Sequence, residues 1–344
     1  MALLDPAHLK PLAIAAFSLM LAACPEPIGE IEAPAPAPAV SEAEQRLAEA
    51  TRERTVLPEP LVAAPALAGQ SIADVLRCLM DRDVTLVSAH RGGVEPGFPE
   101  HAIETFANTL SGAPMLLEMD VRRTADGVLV MMHDESLERT TTGTGNVSDL
   151  TFAELSAFQL VDNEGDVTPY RIPSLSEVLS WARGRAFVQL DLKRTVPVEE
   201  LVEAILANDA LSYAMVITYD TEDALRAAAV SDEVVISIQL TDPERLEALT
   251  QAGVDPARLI GWAGVQRELN PAVWAHLLEA GIPPVAGTLW HIDGQVLETG
   301  DAGIFAEFAD AGVAMIATDI HWVAYEALET RQDTVEAFGA CTGG

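Results

Sequence analysis

From residue 85 to residue 318, eight short apolar segments rich in branched residues alternate with helix-length amphipathic stretches, and no other feature restricts the possible folds so tightly. The expected strands are residues 85–89, 115–121, 186–192, 214–218, 234–240, 258–262, 284–289 and 313–318. Helices are expected over 102–110, 174–183, 198–208, 222–229, 243–252, 270–280 and 303–311, several running into a C-cap glycine at Gly253, Gly281 or Gly312. Parallel strands joined by right-handed helical crossovers predict an α/β fold, a closed TIM (β/α)8 barrel. One irregularity is expected. After the second strand, residues 122–166 form an insertion containing the apolar segment 128–132, where an ordinary barrel has one helix.

In such a barrel, chemistry sits at the C-terminal ends of the strands. His90 and Arg91 follow the first strand, Glu118 and Asp120 close the second, and Asp191 and Lys193 close the third. Glu118 and Asp120 are two residues apart on a strand, so their side chains point the same way. Together with Asp191 they form a hard-oxygen set suited to Ca²⁺ or Mg²⁺, with an exposed acidic strand end as the alternative reading. His90 and His133 are the candidates for proton transfer near neutral pH, and Arg91 and Lys193 the candidates for holding an anion.

The formal net charge of −33 argues against a nucleic-acid partner, because a phosphate backbone is repelled over most of such a surface. Any phosphate bound here must meet a local cationic site or a metal ion. Lysine occurs only at Lys10 and Lys193, which makes Lys193 the sole lysine beyond the N-terminal leader.

Residues 1–23 read as a bacterial lipoprotein signal peptide: His8 and Lys10, an apolar run over 12–21, then Leu21-Ala22-Ala23-Cys24, which resembles a lipobox. The run is shorter than the roughly 20 residues a spanning helix needs. Acylation of Cys24 would anchor the protein to a membrane of the bacterial cell envelope. Residues 24–70, rich in Ala, Pro and Glu, read as an extended tether, and 71–344 as the barrel domain, opening with a short helix over 71–80. An oxidising envelope invites a disulfide between Cys78 and Cys341, the alternative being two separate buried thiols. Oligomeric state has no sequence signature here.

The ordered set His90-Arg91-Gly92, Pro99-Glu100, Glu118-Met119-Asp120, Asp126-Gly127, His133-Asp134 and Arg139-Thr140-Thr141, followed by Asp191-Leu192-Lys193, resembles the glycerophosphodiester phosphodiesterase family. The match is dense over about residues 84–194 and stays colinear to Thr318-Asp319. This resemblance implies a TIM barrel that hydrolyses small-molecule glycerophosphodiesters to glycerol 3-phosphate and an alcohol with one divalent cation. It further implies Glu118, Asp120 and Asp191 as metal ligands, His90 and His133 as the acid–base pair, Arg91 and Lys193 as phosphate contacts, and Glu100 as a nearby site carboxylate. His133 is the expected base and His90 the expected acid.

Two positions depart from the family pattern. The usual Pro-Glu-Asn is Pro99-Glu100-His101, and the usual Glu-x-Lys is Asp191-Leu192-Lys193, which shortens one ligand by a methylene, roughly 1.5 Å. His276 reads as a surface helix residue, whereas Trp290, His291, His321 and Trp322 follow late strands and either line the barrel mouth or pack its loops. The same fold acting on lysophospholipid or cell-wall diesters is the nearest alternative. A non-catalytic ligand-binding surface lipoprotein is the more distant one, and the retention of His90, His133 and Lys193 argues against it.

Overall fold

The computed structural model describes residues 71–343, together with Leu57 and residues 59–61. The leader, Cys24 and nearly all of the tether lie outside the described residues.

Eight parallel strands form the barrel: β1 (Leu86–Ala89), β2 (Leu116–Arg123), β4 (Phe187–Leu192), β5 (Ala214–Thr218), β6 (Val235–Gln239), β7 (Leu259–Val265), β8 (Pro284–Gly287) and β9 (Met315–Thr318). Pairing of β1 with both β9 and β2 closes the ring. The ninth strand, β3 (Leu129–Met131), is antiparallel and extends β2 outward, with Val121 opposite Met131 and Arg123 opposite Leu129. The apolar segment at 128–132 is thus a strand outside the barrel wall.

The helices are α1 (Ile72–Met80), α2 (Ile103–Gly112), α3 (Phe152–Leu155), α4 (Leu175–Ala182), α5 (Val198–Ala207), α6 (Thr221–Val230), α7 (Pro243–Gln251), α8 (Ala275–Glu279), α9 (Ile292–Thr299), α10 (Gly303–Asp310), α11 (His321–Glu329) and α12 (Thr334–Thr342). In α4, the capping box of Ser174 and Glu177 satisfies the first-turn amides, and Leu175, Val178, Leu179 and Ala182 are buried at helical spacing. The expected helix at 270–280 breaks into a 3₁₀ turn (Pro271–Val273) followed by α8, with buried Trp274 between them donating its indole N–H to the Ala311 carbonyl at 3.0 Å.

Opposite the strand C-termini, α1 and α12 close the barrel. Phe338 of α12 meets Phe187, the first residue of β4, edge-on with ring centroids 5.8 Å apart. Cys78 of α1 and Cys341 of α12 are joined by a disulfide. The insertion after β2 has its own apolar cluster, including Val130, Met132, Leu137, Val147, Leu155, Leu160 and Ile172, distinct from the barrel core. A self-contained core lets this segment hold fixed side chains over the barrel mouth rather than drape as a loop.

Candidate functional site

Strand register places the carboxylates. Asp120 of β2 lies directly beside Asp191 of β4, and Glu118 points to the same face two residues earlier. One oxygen from each of the three lies within 4.8 Å of the others, and all three residues are buried. Burial, and then the neighbouring Asp120, push the Glu118 carboxyl up to about 7. Crowded, buried, hard-oxygen donors of this kind fit a divalent cation, which would neutralise them.

The turn after β1 aims the next groups. Arg91 adopts left-handed backbone angles (φ 54°), and Gly92 and Gly93 follow at φ 86° and 90°. A Cβ at Gly92 would collide with the Phe106 ring and one at Gly93 with the Thr109 hydroxyl, so both positions need glycine for space as well as for angle. The tight turn brings the Arg91 amide to Glu118, donating to Oε2 at 2.9 Å, while the Arg91 guanidinium donates to Glu100 at 2.7 Å.

Both histidines are held at Nδ1 by a carboxylate. His90 Nδ1 lies 2.6 Å from Asp319 Oδ1, and His133 Nδ1 lies 2.7 Å from Asp134 Oδ1. An ionised carboxylate only accepts, so each Nδ1 carries the proton and each Nε2 is left for chemistry. His90 Nε2 stands 3.9 Å from Glu118. Burial alone would lower the His90 pKa, but the bond to Asp319 and the charge of Glu118 outweigh it and the net shift is upward. For His133, burial dominates over Asp120 and Asp134 and the net shift is downward. The imidazoles are therefore biased in opposite directions.

Beneath the cage lies a buried ionic layer. Glu100, 2% exposed, accepts both Nη groups of Arg139 at 3.0 and 2.9 Å as well as the Arg91 contact. Burial would raise its pKa, but His101, Arg139 and Arg91 hold it far below the usual carboxylate range. His101 is 1% exposed, with Nε2 2.9 Å from Asp120 Oδ2 and 3.0 Å from the Asp120 amide, and Nδ1 3.6 Å from Glu100. Unprotonated, Nε2 accepts the amide and orphans Oδ2; protonated, it donates to Oδ2, and only the imidazolium also turns an N–H at Nδ1 toward Glu100. Burial disfavours the charge, but the flanking Asp120 and Glu100 prevail and push the ring up to about 9, which favours the imidazolium.

Lys193 bridges the cage from the side, contacting Asp120 and reaching Asp191 Oδ2 at 2.7 Å. Tyr219, at the end of β5, donates to both oxygens of Asp191 at 2.6 and 2.8 Å. Asp293 of α9 receives the Asp319 amide at 2.8 Å and the Thr318 hydroxyl at 2.9 Å, bracing the carboxylate that holds His90.

The eight residues given site roles from sequence lie together: His90, Arg91, Glu100, Glu118, Asp120, His133, Asp191 and Lys193. Sequence reasoning gave no role to Asp319, Asp134, Arg139, Tyr219 or Asp293. The first and fourth close strands β9 and β5, the same signal that marked Glu118 and Asp191. His276 is half-buried on α8. Of the late-strand candidates, His321 is buried and Trp322 packs against Gly112 and Tyr325, so both belong to loop packing. Trp290 is 68% exposed at the apex of a three-residue turn (φ 64°; His291 amide to Leu289 carbonyl, 2.7 Å), and His291 leads into α9.

Residues 90–317 match the profile of the glycerophosphoryl diester phosphodiesterase family. A crystal structure of a glycerophosphoryl diester phosphodiesterase from Parabacteroides distasonis superposes with TM-score 0.73 at 30% identity, covering 80% of this chain and 98% of that one. A glycerophosphodiester phosphodiesterase of Caldanaerobacter subterraneus is 35% identical over 128 residues, 35% of this chain and 52% of the relative. An Oleispira antarctica phosphodiesterase solved with its product sn-glycerol-3-phosphate has the same fold, with TM-score 0.55 at 20% identity, covering 73% of this chain and 99% of that one. The chain spans about a third to a half of the length of the curated relatives that carry the phosphodiesterase name.

Proposed function

Because this chain belongs to the glycerophosphoryl diester phosphodiesterase family and is an enzyme of that class, we propose that it cleaves glycerophosphodiesters to glycerol 3-phosphate and an alcohol through the His90–His133 pair. The observation that carries this reading is the pair itself: two imidazoles, each fixed at Nδ1 by a carboxylate and oppositely biased, beside a buried three-carboxylate cage.

Glu118, Asp120 and Asp191 would hold one divalent cation, Ca²⁺ or Mg²⁺, which when bound supplies charge neutralisation for the phosphodiester oxygens. Lys193, fixed between Asp120 and Asp191, places an ammonium where a phosphate oxygen adjoins the cage. The Arg91 amide binds Glu118 and its guanidinium binds Glu100, so that its remaining donors would serve the same oxygens. Neutral His133 takes the proton of the attacking hydroxyl at Nε2 as the new P–O bond forms. Protonated His90 gives its Nε2 proton to the departing alkoxide as the old P–O bond breaks. Asp319 and Asp134 keep both rings in the tautomer and orientation these transfers need.

The product-bound relative supports glycerol 3-phosphate as the product class. Incubation with glycerophosphocholine, with and without chelator, tests the reading. Release of glycerol 3-phosphate that stops on metal removal is expected, and metal-independent turnover or none on any glycerophosphodiester overturns it. The leader-like N-terminus supports a lipid-anchored envelope location, for which Cys24→Ala should move the protein from the membrane to the soluble fraction.

A further inference from the structure

Beside the cage, the ends of β2, β4 and β5 enclose an open groove of about 820 Å³ lined by Arg122, Lys193, Arg194, Tyr219 and Arg226, among others. Lys193 and Tyr219 both touch Asp191, so the groove adjoins the cage. Four of the chain's 20 basic residues gather here, in a protein of net charge −33.

Three acids, Glu135, Asp220 and Asp223, line the same groove, and Lys193 and Arg226 are already paired, Lys193 with Asp120 and Asp191 and Arg226 with Asp223 and Glu199, so Arg122 and Arg194 are the groove cations left for a ligand. Asp223 is paired with Arg226, and Asp220 is engaged as the cap of α6, accepting the Asp223 amide at 2.9 Å. The charge of Glu135 acts on Arg122, with no hydrogen bond or ion pair between the two among the described residues. Arg122 is half-buried and donates Nε to the His133 carbonyl at 2.9 Å, which fixes its plane and leaves both Nη groups for another acceptor. Arg194 is exposed and makes no hydrogen bond or ion pair among the described residues. Two guanidinium forks with unused donors, one on a held side chain, line this one groove, and such forks suit a tetrahedral oxyanion. The scissile phosphate is already met by the cage and Lys193, and a quaternary ammonium would be repelled here.

We propose that this groove is a subsite for a second phosphate group, so that the preferred substrates are glycerophosphodiesters carrying one more phosphate along the chain. The proposal rests on the phosphodiesterase reading for its substrate, but its anion site stands on Arg122 and Arg194 alone. Such a phosphate can come from a terminal monoester or from the next diester of an oligomer, and the two are tested in parallel.

The measurement is kcat/KM of the metal-loaded enzyme for glycerophosphoglycerol, for its terminally phosphorylated form, for a three-unit glycerol phosphate oligomer and for glycerophosphocholine. It is paired with calorimetric binding of glycerol 3-phosphate against glycerol 1,3-bisphosphate. At least tenfold higher kcat/KM for one or both phosphate-bearing substrates is expected, lost in Arg194→Glu while glycerophosphoglycerol turnover stays as in the wild type. A gain for the monoester alone, for the oligomer alone or for both names the source. Equal turnover of all four substrates, or a preference that Arg194→Glu leaves intact, overturns the subsite and leaves the phosphodiesterase reading standing. Absence of turnover together with Arg194-dependent preference for the bisphosphate overturns that reading and supports the anion site. Absence of both overturns the two together.

Discussion

His90 and His133 look alike in chain context and in their carboxylate partners, yet their environments separate them. Burial outweighs the carboxylates at His133, whereas Asp319 and Glu118 outweigh burial at His90. In the proposed roles, His133 as base with lowered pKa and His90 as acid with raised pKa predict a bell-shaped pH profile of kcat/KM, rising as His133 loses its proton and falling as His90 loses its own. Asp319→Asn should move the alkaline limb to lower pH and leave the acidic limb in place, which a pH–rate series measures directly. Replacing either histidine by alanine should lower kcat by about 10²–10⁴-fold, within the range for a positioned general acid or base. Glu118 supplies a second pH signature. Its carboxyl is raised from the usual 4.5 to about 7, so the cation-free folded state binds more protons than the unfolded chain across that interval. That contribution to stability is fully present below 4.5 and is lost as pH rises through 7. Cation affinity runs the other way, falling as pH drops below about 7, and calorimetric titrations at two pH values should show it together with proton release. At residue scale the sequence was informative about types and less so about partners. His101 departs from the family's asparagine, yet its φ of 64° lies in the left-handed region that asparagine and histidine both tolerate better than most residues. What the sequence could not show is that the ring lies between Glu100 and Asp120. His101→Leu, which leaves those carboxylates buried beside an apolar side chain, should lower stability by about 3–5 kcal/mol in denaturant titrations, and His101→Asn by less.

Among the elements, the eight barrel strands were legible because each is a short and largely apolar run, the mark of a strand covered on both faces, interrupted in β2 and β4 by the acidic side chains of the site. The antiparallel β3 was visible only as an apolar segment, since its pairing with β2 is a tertiary fact. Helices α3, α9, α11 and α12 were not anticipated, and α9 shows why. It contains Gly294, starts after the exposed turn at Trp290, and has no side-chain cap at its N-terminus, so the usual start signals are missing. The shortened carboxylate Asp191 also gains meaning at this scale: Tyr219, immediately after β5, donates its hydroxyl to both of its oxygens. Tyr219→Phe should therefore weaken cation binding measured by calorimetry while leaving the melting temperature nearly unchanged, because the ring is 58% exposed. The glycine turn after β1 allows no such latitude. Gly92→Ala must adopt a disfavoured φ and displace Phe106, so a loss of several kcal/mol is expected in thermal or denaturant unfolding, of the order that strain and overpacking together impose.

For the molecule as a whole, the barrel, its insertion and the two closing helices form one connected design, with the site at the strand C-termini and the disulfide near the opposite end. The link between Cys78 and Cys341 encloses 263 residues of sequence separation. Chain-entropy reasoning for so long a loop gives about 5 kcal/mol of stabilisation as an upper figure. Cys78→Ser with Cys341→Ser should accordingly lower the melting temperature, and reductant should do the same to the wild type alone. The bond also makes the domain a covalent ring from which only the two tails emerge. A single proteolytic cut in any loop between residues 78 and 341 leaves its fragments attached until the bond is reduced. Tension applied to both tails is likewise carried across sulfur at the base of the barrel, and the β-ladders that hold the site in register are shielded from the load.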